Sequence, residues 1–378
     1  MIYLDNAATT DYKPQCVIDA VTEAITKYPF NPNRGGHKQA LELERKLYQT
    51  RKKLSLLCHN DSEKHVAFTG GCTEALNLAI LGNARRGHVI VSCYEHNSVL
   101  RPLMQLKKRG FITVSVAQAD ENGDVRAEEI ERLLQKDTYM LCVSHASNVN
   151  GKSQRLYDLG ELARQKNLLF LVDCAQSVGY FPIDMSKCNV DMAALAGHKG
   201  LHGIQGAGAL VFNERATPRP VKFGGTGSES HLYYQPDTIP DSLESGTLPC
   251  PAIMAMDAGI DYWLENWQAN SEKIAECEKL IADGLRSIPN VKLYSQRNKS
   301  GIVAFNVGNT DSNEIADELS SGYDIAVRGG LQCAPLAHKY LGTFEQGVVR
   351  ASVSCVTTKD ECYRFLNAVD NITRKLSR

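Results

Sequence analysis

A few side chains in this sequence have the types and neighbours that do chemistry. Lys199 stands in "AGHKGLHG", beside His198 and among glycines. Asp173 and Gln176 stand in "VDCAQS", His96 in "CYEHNSVL", and Cys72 with Thr73 in "TGGCTEALNLAI". Each has a bland reading: a solvated lysine, a capping aspartate, a packed histidine, a capped strand-to-helix turn. Together they have a sharper one. Glycines ahead of a helix N-terminus offer free N–H groups and the positive end of the helix dipole to a phosphate, and Thr73 adds a hydroxyl. A carboxylate at the end of a buried strand is costly unless it meets a cation. A lysine on a neighbouring loop can form a Schiff base with an aldehyde. Cradle, carboxylate and amine together suit pyridoxal 5'-phosphate, whose phosphate, protonated pyridine nitrogen and aldehyde they match. A ring such as His96 would cover the pyridine face.

Other cofactors fit less well. "GIQGAG" (203–208) has glycine spacing loosely like a dinucleotide loop, but it precedes a strand where that loop must follow one. No GxxxxGK[ST], HExxH or CxxC occurs, so a P-loop and the common metal signatures fail.

The elements that must position these residues are short apolar runs alternating with helical patterns. The expected strands are 64–68, 88–92, 111–117, 139–144, 168–173, 191–196 and 207–212, with amphipathic helices such as 126–135 and 157–166 between them. This rhythm implies βαβ units and a sheet buried on both faces, which binds ligands at the carboxyl ends of its strands. A Gly-, Ser- and Pro-containing stretch from Pro218 to Pro251 interrupts it as a long functional loop. Helices at 252–267 and 270–287, strands at 291–295 and 301–308, and a further helix, strand and helix then suggest a smaller α+β domain. The expected division is 13–250 for the large domain and 251–378 for the small one, with segment 1–12 packing near the active site.

At 378 residues the chain is long enough for two domains. A formal net charge of −1 gives no field to draw it onto nucleic acid or an anionic membrane, so neither is expected as a partner. No apolar run approaches a membrane span, and "MIYLDNAATT" has neither the basic nor the apolar region of a secretion signal. The 12 cysteines are irregularly spaced, and several lie within apolar runs, so they read as reduced, mostly buried thiols in the cytoplasm.

The ordered series "YLDNAATT" (3–10), "NPNRGGH" (31–37), "TGGCTEALN" (69–77), "HASNVNG" (145–151), "VDCAQSVG" (172–179), "AGHKGLHG" (196–203), "ESGTLP" (244–249) and "RGGLQCAP" (328–335) resembles the cysteine desulfurase family. That family belongs to the class V aminotransferase group of fold-type I pyridoxal-phosphate enzymes. The resemblance spans nearly the whole chain. It implies an α/β fold: a large domain with a seven-stranded, mostly parallel sheet flanked by helices, and a smaller α+β C-terminal domain. It also implies roles. Lys199 matches the Schiff-base lysine, His96 the histidine stacked on the ring, Asp173 the pyridinium partner and Gln176 the donor to the ring hydroxyl. Cys72 (through its backbone), Thr73 and His198 match phosphate contacts, and Asn148 an asparagine near ring and substrate. Thr247 matches a threonine that reaches the neighbouring subunit's cofactor, implying a homodimer. One departure stands out: the family's "SGHK" or "SAHK" begins with serine where this chain has Ala196, so one phosphate hydroxyl is missing.

The choice of reaction rests elsewhere. In "AVRGGLQCAPLAH", Cys333 sits in a loop near basic residues, better placed to react than a cysteine within a strand. The resemblance matches it to the persulfide-forming cysteine of an "RxGxxC" pattern that includes Arg328. Arg350 matches the arginine that grips the substrate carboxylate, for which a guanidinium fork is suited. The resemblance also implies substrate contacts for Arg328 and for position 7, Ala7 of "YLDNAATT". The expected function is conversion of L-cysteine to L-alanine, with sulfur passing to Cys333 and then to an acceptor protein. The alternatives are a selenocysteine lyase acting on L-selenocysteine, a class V aminotransferase and, in a different class, a non-enzymatic scaffold that binds pyridoxal phosphate. His202 has no expected role.

Overall fold

The computed structural model describes residues 1–32 and 35–377; Asn33 and Arg34 of the "NPNRGGH" stretch lie outside the described residues. The chain opens with β1 (Ile2–Tyr3), α1 (Gln15–Lys27) and α2 (Lys38–Leu57). An alternating run follows: β2 (Val66–Thr69), α3 (Cys72–Gly82), β3 (Gly87–Ser92), α4 (Asn97–Lys108), β4 (Ile112–Ala117), α5 (Ala127–Leu133) and β5 (Thr138–Ser144). It continues through α6 (Leu156–Gln165), β6 (Leu169–Asp173), β7 (Met192–Ala196) and β8 (Gly208–Phe212). The last third holds α7 (Cys250–Ser287), β9 (Val291–Leu293), β10 (Ile302–Val307), α8 (Ser312–Tyr323) and β11 (Ile325–Ala326). It ends with α9 (Pro335–Leu341), β12 (Val349–Ser352) and α10 (Lys359–Leu376).

The seven strands β2 to β8 form one sheet in the order β2-β8-β7-β6-β5-β3-β4. Strands such as "VAFT", "MAALA" and "GALVF" are buried at every position, as a sheet covered on both faces requires. β8 alone runs against the direction of the other six strands. Because β2 is antiparallel to β8 and β8 to β7, β2 and β7 point the same way. The carboxyl ends of β2, β3, β5, β6 and β7 therefore share one edge, and the loops after them converge there.

The small domain carries the antiparallel sheet β12-β10-β9, packed with α8 and α10 around Phe305, Phe365 and Leu319. Helix α7 is a single element of 38 residues, roughly 57 Å long at 1.5 Å per residue. The two expected helices, 252–267 and 270–287, are thus one. The intervening Asn266 and Asn270 spend their side-chain amides on the Tyr262 carbonyl and hydroxyl instead of capping a new helix, and neither Gly nor Pro breaks the run. Its first half buries Ile253, Met256 and Ile260 in the large-domain core, and its second half buries Ile274, Ile281 and Leu285 in the small-domain core. The N-terminal segment also joins the two. β1 pairs with β11, Ile2 and Leu4 enter the small-domain core, and the Ala7 carbonyl accepts from Gln176 in the large domain. Among the described residues no helix is long and apolar enough to cross a membrane.

Candidate active site

At the shared edge lies a cavity of about 560 Å³, lined by Gly71, Cys72 and Thr73 after β2, His96 after β3, Asn148 after β5, Asp173 and Gln176 after β6, and His198 and Lys199 after β7. Sequence reasoning placed the Thr73, His96, Asp173 and Lys199 motifs at strand ends and named Asn148 from the family resemblance, and the topology gathers them.

The cradle comes from α3. Gly71 precedes it at φ 147°, ψ 175°, backbone that is essentially open only to glycine, and a Cβ there would meet nothing within 4 Å. The helix thus starts abruptly at Cys72 with its first N–H groups unspent and clear space above them. Thr73 Oγ1 lies 2.9 Å from Ser98 Oγ, which is 2.9 Å from His96 Nδ1. His96 is the N-cap of α4, and its Nδ1 accepts from the Ser98 backbone N–H at 3.0 Å. An accepting Nδ1 means a neutral ring with its proton on Nε2. Burial favours the same state by lowering the His96 pKa against the pull of Asp173.

Asp173 is 7 % exposed. Its Oδ1 accepts from the Ala175 N–H (2.9 Å) and from the Cys72 thiol (3.5 Å), while Oδ2 has no hydrogen bond among the described residues. A buried carboxylate with an open oxygen and no paired cation is what a protonated ring nitrogen would complete. Gln176 is fixed by its amide to the Ala7 carbonyl at 2.8 Å.

Lys199 rises from the turn after β7. Gly200 must follow it, because a Cβ there would sit 2.3 Å from the Val178 carbonyl. The Lys199 amine makes no hydrogen bond or ion pair among the described residues. Burial lowers its pKa, opposed by Cys72 and Asp173. His198 Nδ1 is 3.1 Å from Thr9 Oγ1, and burial takes its pKa down to about 4. His202 gains a structural place: its Nδ1 bonds the Tyr12 carbonyl and ties segment 1–12 to this turn. Ala196, the missing serine, is buried on the cavity wall.

The remaining expected residues lie outside this lining. Cys333 and Arg328 line a second cavity of about 690 Å³ with Asn97 and Asn313. Cys333 is exposed and sits at φ 59° in a left-handed turn, its carbonyl accepting from the Asn97 N–H at 2.7 Å, one residue beyond His96. Asn148 donates to the Gln332 carbonyl at 2.6 Å, so the two cavities share a wall. Arg350, on β12, is 3 % exposed and pairs through its backbone with Arg328. Its Nη2 meets Asp5 at 2.6 Å and its Nη1 donates to the Asn148 carbonyl at 2.8 Å. Asn6 bonds the Ser352 carbonyl, and the Ala7 N–H bonds the Ser352 hydroxyl. Thr247 is exposed and does not line the cavity.

Sequence reasoning missed three groups. Ser98 links cradle and histidine. Asp5 holds Arg350. Glu95, fully buried, accepts from Ser92 and Ser144, and burial pushes its carboxyl up to about 8. Glu95 had a visible signal, since it directly precedes His96 in an apolar run; Asp5 and Ser98 are informative only through their partners.

The aminotransferase class-V family model matches residues 2–365. The chain belongs to the class V aminotransferase family. Curated relatives within this family include a probable cysteine desulfurase of Methanothermobacter thermautotrophicus, 34% identical, with the match covering 95% of this chain and 92% of the relative. A cysteine desulfurase of Shigella flexneri is 30% identical over 100% of this chain and 94% of its own. Among solved structures, the apo cysteine desulfurase of Thermococcus onnurineus superposes with a TM-score of 0.90 at 28% identity, covering 99% of this chain and 95% of that one.

Proposed function

We propose that this chain is a pyridoxal-phosphate-dependent cysteine desulfurase that converts L-cysteine to L-alanine and passes the sulfur through Cys333. The observation that carries the reading is the gathering of Lys199, Asp173, His96 and the α3 N-terminus around one cavity, with the Cys333 turn docked on the residue after His96. The similarity to cysteine desulfurases supports the same substrate class.

The residues fit the cofactor: the α3 N-terminus, Thr73 and His198 would hold its phosphate, Asp173 its ring nitrogen, Gln176 its ring hydroxyl and Lys199 its aldehyde carbon. When bound, the cofactor supplies an electron sink for charge developing at the substrate Cα. Lys199 Nζ, buried and without a hydrogen bond or ion pair among the described residues, takes the Cα proton. Arg350 and Asn148 orient the substrate by its carboxylate. His96, neutral with its proton on Nε2, covers the ring and keeps a proton available. The Cys333 sulfur attacks the substrate sulfur; the new S–S bond forms as the Cβ–S bond breaks, and its electron pair stays with the carbon fragment, which is protonated to alanine. The persulfide on Cys333 is exposed and so open to an acceptor thiol or protein.

The reading includes a homodimer. Thr247 is exposed, and the loop before it presents Phe223 (73 %), Tyr233 (101 %) and Tyr234 (88 %) to solvent. Exposed aromatic groups in one loop suit burial against a second subunit. All 12 cysteines are free, which suits a reducing compartment. The test is alanine and sulfide formation from L-cysteine by the purified, cofactor-loaded protein, with and without a thiol reductant. Absence of alanine in both conditions overturns the reading.

A further inference from the structure

The Arg350 guanidinium is almost completely withdrawn from water, yet its hydrogen bonding is incomplete. Nη1 donates to the Asn148 carbonyl and Nη2 is held by Asp5 Oδ1 at 2.6 Å, while Nε is buried with no partner among the described residues. A buried donor left unpaired is costly, so an orphan beside an ion pair calls for a reason. Two edges of a guanidinium can grip a carboxylate with two nitrogens, Nε with Nη2 and Nη1 with Nη2. Both use Nη2, the atom that Asp5 holds. The Nε–Nη2 edge alone would satisfy the orphan without disturbing the Asn148 bond that fixes the arginine.

We propose that Asp5 is a gate on the substrate's carboxylate site: an internal carboxylate that occupies Nη2 at rest and is displaced when the substrate carboxylate takes the Nε–Nη2 edge. This rests on the reading of Arg350 as the carboxylate ligand. The gate is a side-chain movement, because the backbone around Asp5 is pinned. Leu4 N–H bonds the Ala326 carbonyl, Asp5 bridges Ser352, and Asn6 and Ala7 bond Ser352 on either face. The Asp5 side chain itself keeps 15 % of its surface exposed, so it has an outlet. Sharing is disfavoured, since two carboxylates on one buried guanidinium leave a net negative charge out of water. The consequence is selectivity. A ligand without a carboxylate cannot open the gate, and a ligand with one binds at an affinity reduced by the fraction of time Arg350 is held.

The experiment is calorimetric titration of the cofactor-loaded protein with L-alanine and with L-alaninamide, which keeps the amine and lacks the carboxylate. If Arg350 is free about one-tenth of the time, Asp5→Asn binds L-alanine ~tenfold tighter, and L-alaninamide unchanged. Asp5→Ala should show the same tightening, which guards against a local effect of the asparagine. KM for L-cysteine should fall in parallel without a rise in kcat. Unchanged or weaker L-alanine binding in both variants overturns the gate, because a merely supporting Asp5 would lose affinity when removed. Arg350→Gln separates the two layers of the argument. If it abolishes the preference for L-alanine over L-alaninamide while the Asp5 variants fail to tighten, only the gate falls. If it keeps the preference, the Arg350 assignment falls and the gate with it.

Discussion

The cavity at the sheet edge and the layer around Arg350 and Cys333 are built on opposite plans. In the cavity the reacting groups are held by backbone and left with open valences. Among the described residues Lys199 Nζ is unpaired and Asp173 keeps one oxygen free, and the first N–H groups of α3 face the cavity. In the layer around Arg350 the polar groups are mostly engaged already, the Arg350 Nε being the exception. Arg350 is tied to Asp5 and Asn148, Asn148 to the Gln332 carbonyl, and the Gln332 side chain to His338 and the Val348 carbonyl. A site waiting for a resident cofactor can leave its partners unmade, because the cofactor completes them. A site that meets a new substrate at each turnover needs partners of its own between visits, or it would keep buried charges unpaired.

The largest effect should come from removing the open valence that does the proton transfer. Lys199→Ala is expected to lower alanine formation by about ten-thousandfold and to abolish the visible absorbance of the loaded protein. A variant that keeps that absorbance removes Lys199 from the cofactor's attachment. In the other region, Cys333→Ala should lower alanine release from L-cysteine about a thousandfold, within the range one reacting group contributes, while the absorbance persists. Loss of cofactor in that variant would mean that the two regions are not separable.

This contrast also explains what the sequence could disclose. The open cavity was legible because its residues sit where the sheet must put them: Asp173 closes the run "LFLVD", and Lys199 follows "MAALA" after a glycine and a histidine. Alternation alone places those loops on one edge. In the engaged layer Cys333, Arg350, Arg328 and Asn148 were legible one by one, but not the bonds that join them. Its links are tertiary: Asp5 meets Arg350 across 345 positions and Asn148 meets Gln332 across 184, and no local pattern marks either. The single long α7 was missed for a related reason. Asn270 looks like a cap in sequence and is diverted by Tyr262, eight positions earlier.

A smaller effect should follow from cutting a link in the engaged layer. Gln332 is 7 % exposed at φ 42°, and it donates to the Arg328 and Val348 carbonyls while its oxygen meets His338 Nε2 at 3.1 Å. Gln332→Met keeps the length of the side chain and removes these three hydrogen bonds, at a cost of about 1–3 kcal/mol; the Arg328 carbonyl keeps the Arg350 N–H. Thermal unfolding of the loaded protein measures this. Because Gln332 immediately precedes Cys333, alanine release should fall too, with kcat affected more than KM. Unchanged kcat would show that the turn holds Cys333 without this network.

The smallest effect tests whether the cavity's open plan has a vacancy left in it. Ala196 ends β7, is 1 % exposed and lines the cavity wall where the family's motif begins with a serine. Ala196→Ser adds a hydroxyl without changing the backbone, which pairs with Gly208. If the α3 N-terminus and Thr73 leave a phosphate oxygen under-bonded, the hydroxyl should contribute about 1 kcal/mol, a fivefold tighter cofactor dissociation constant. Turnover of the fully loaded enzyme should not change, since the hydroxyl touches no reacting atom. The competing expectation is that Ser98, already linked to Thr73 at 2.9 Å on the same wall, supplies the missing hydroxyl. In that case Ala196→Ser leaves the constant where it is, and Ser98→Ala loosens the cofactor in its place. Measuring both variants by cofactor release against a competing aldehyde trap decides which residue completes the cradle.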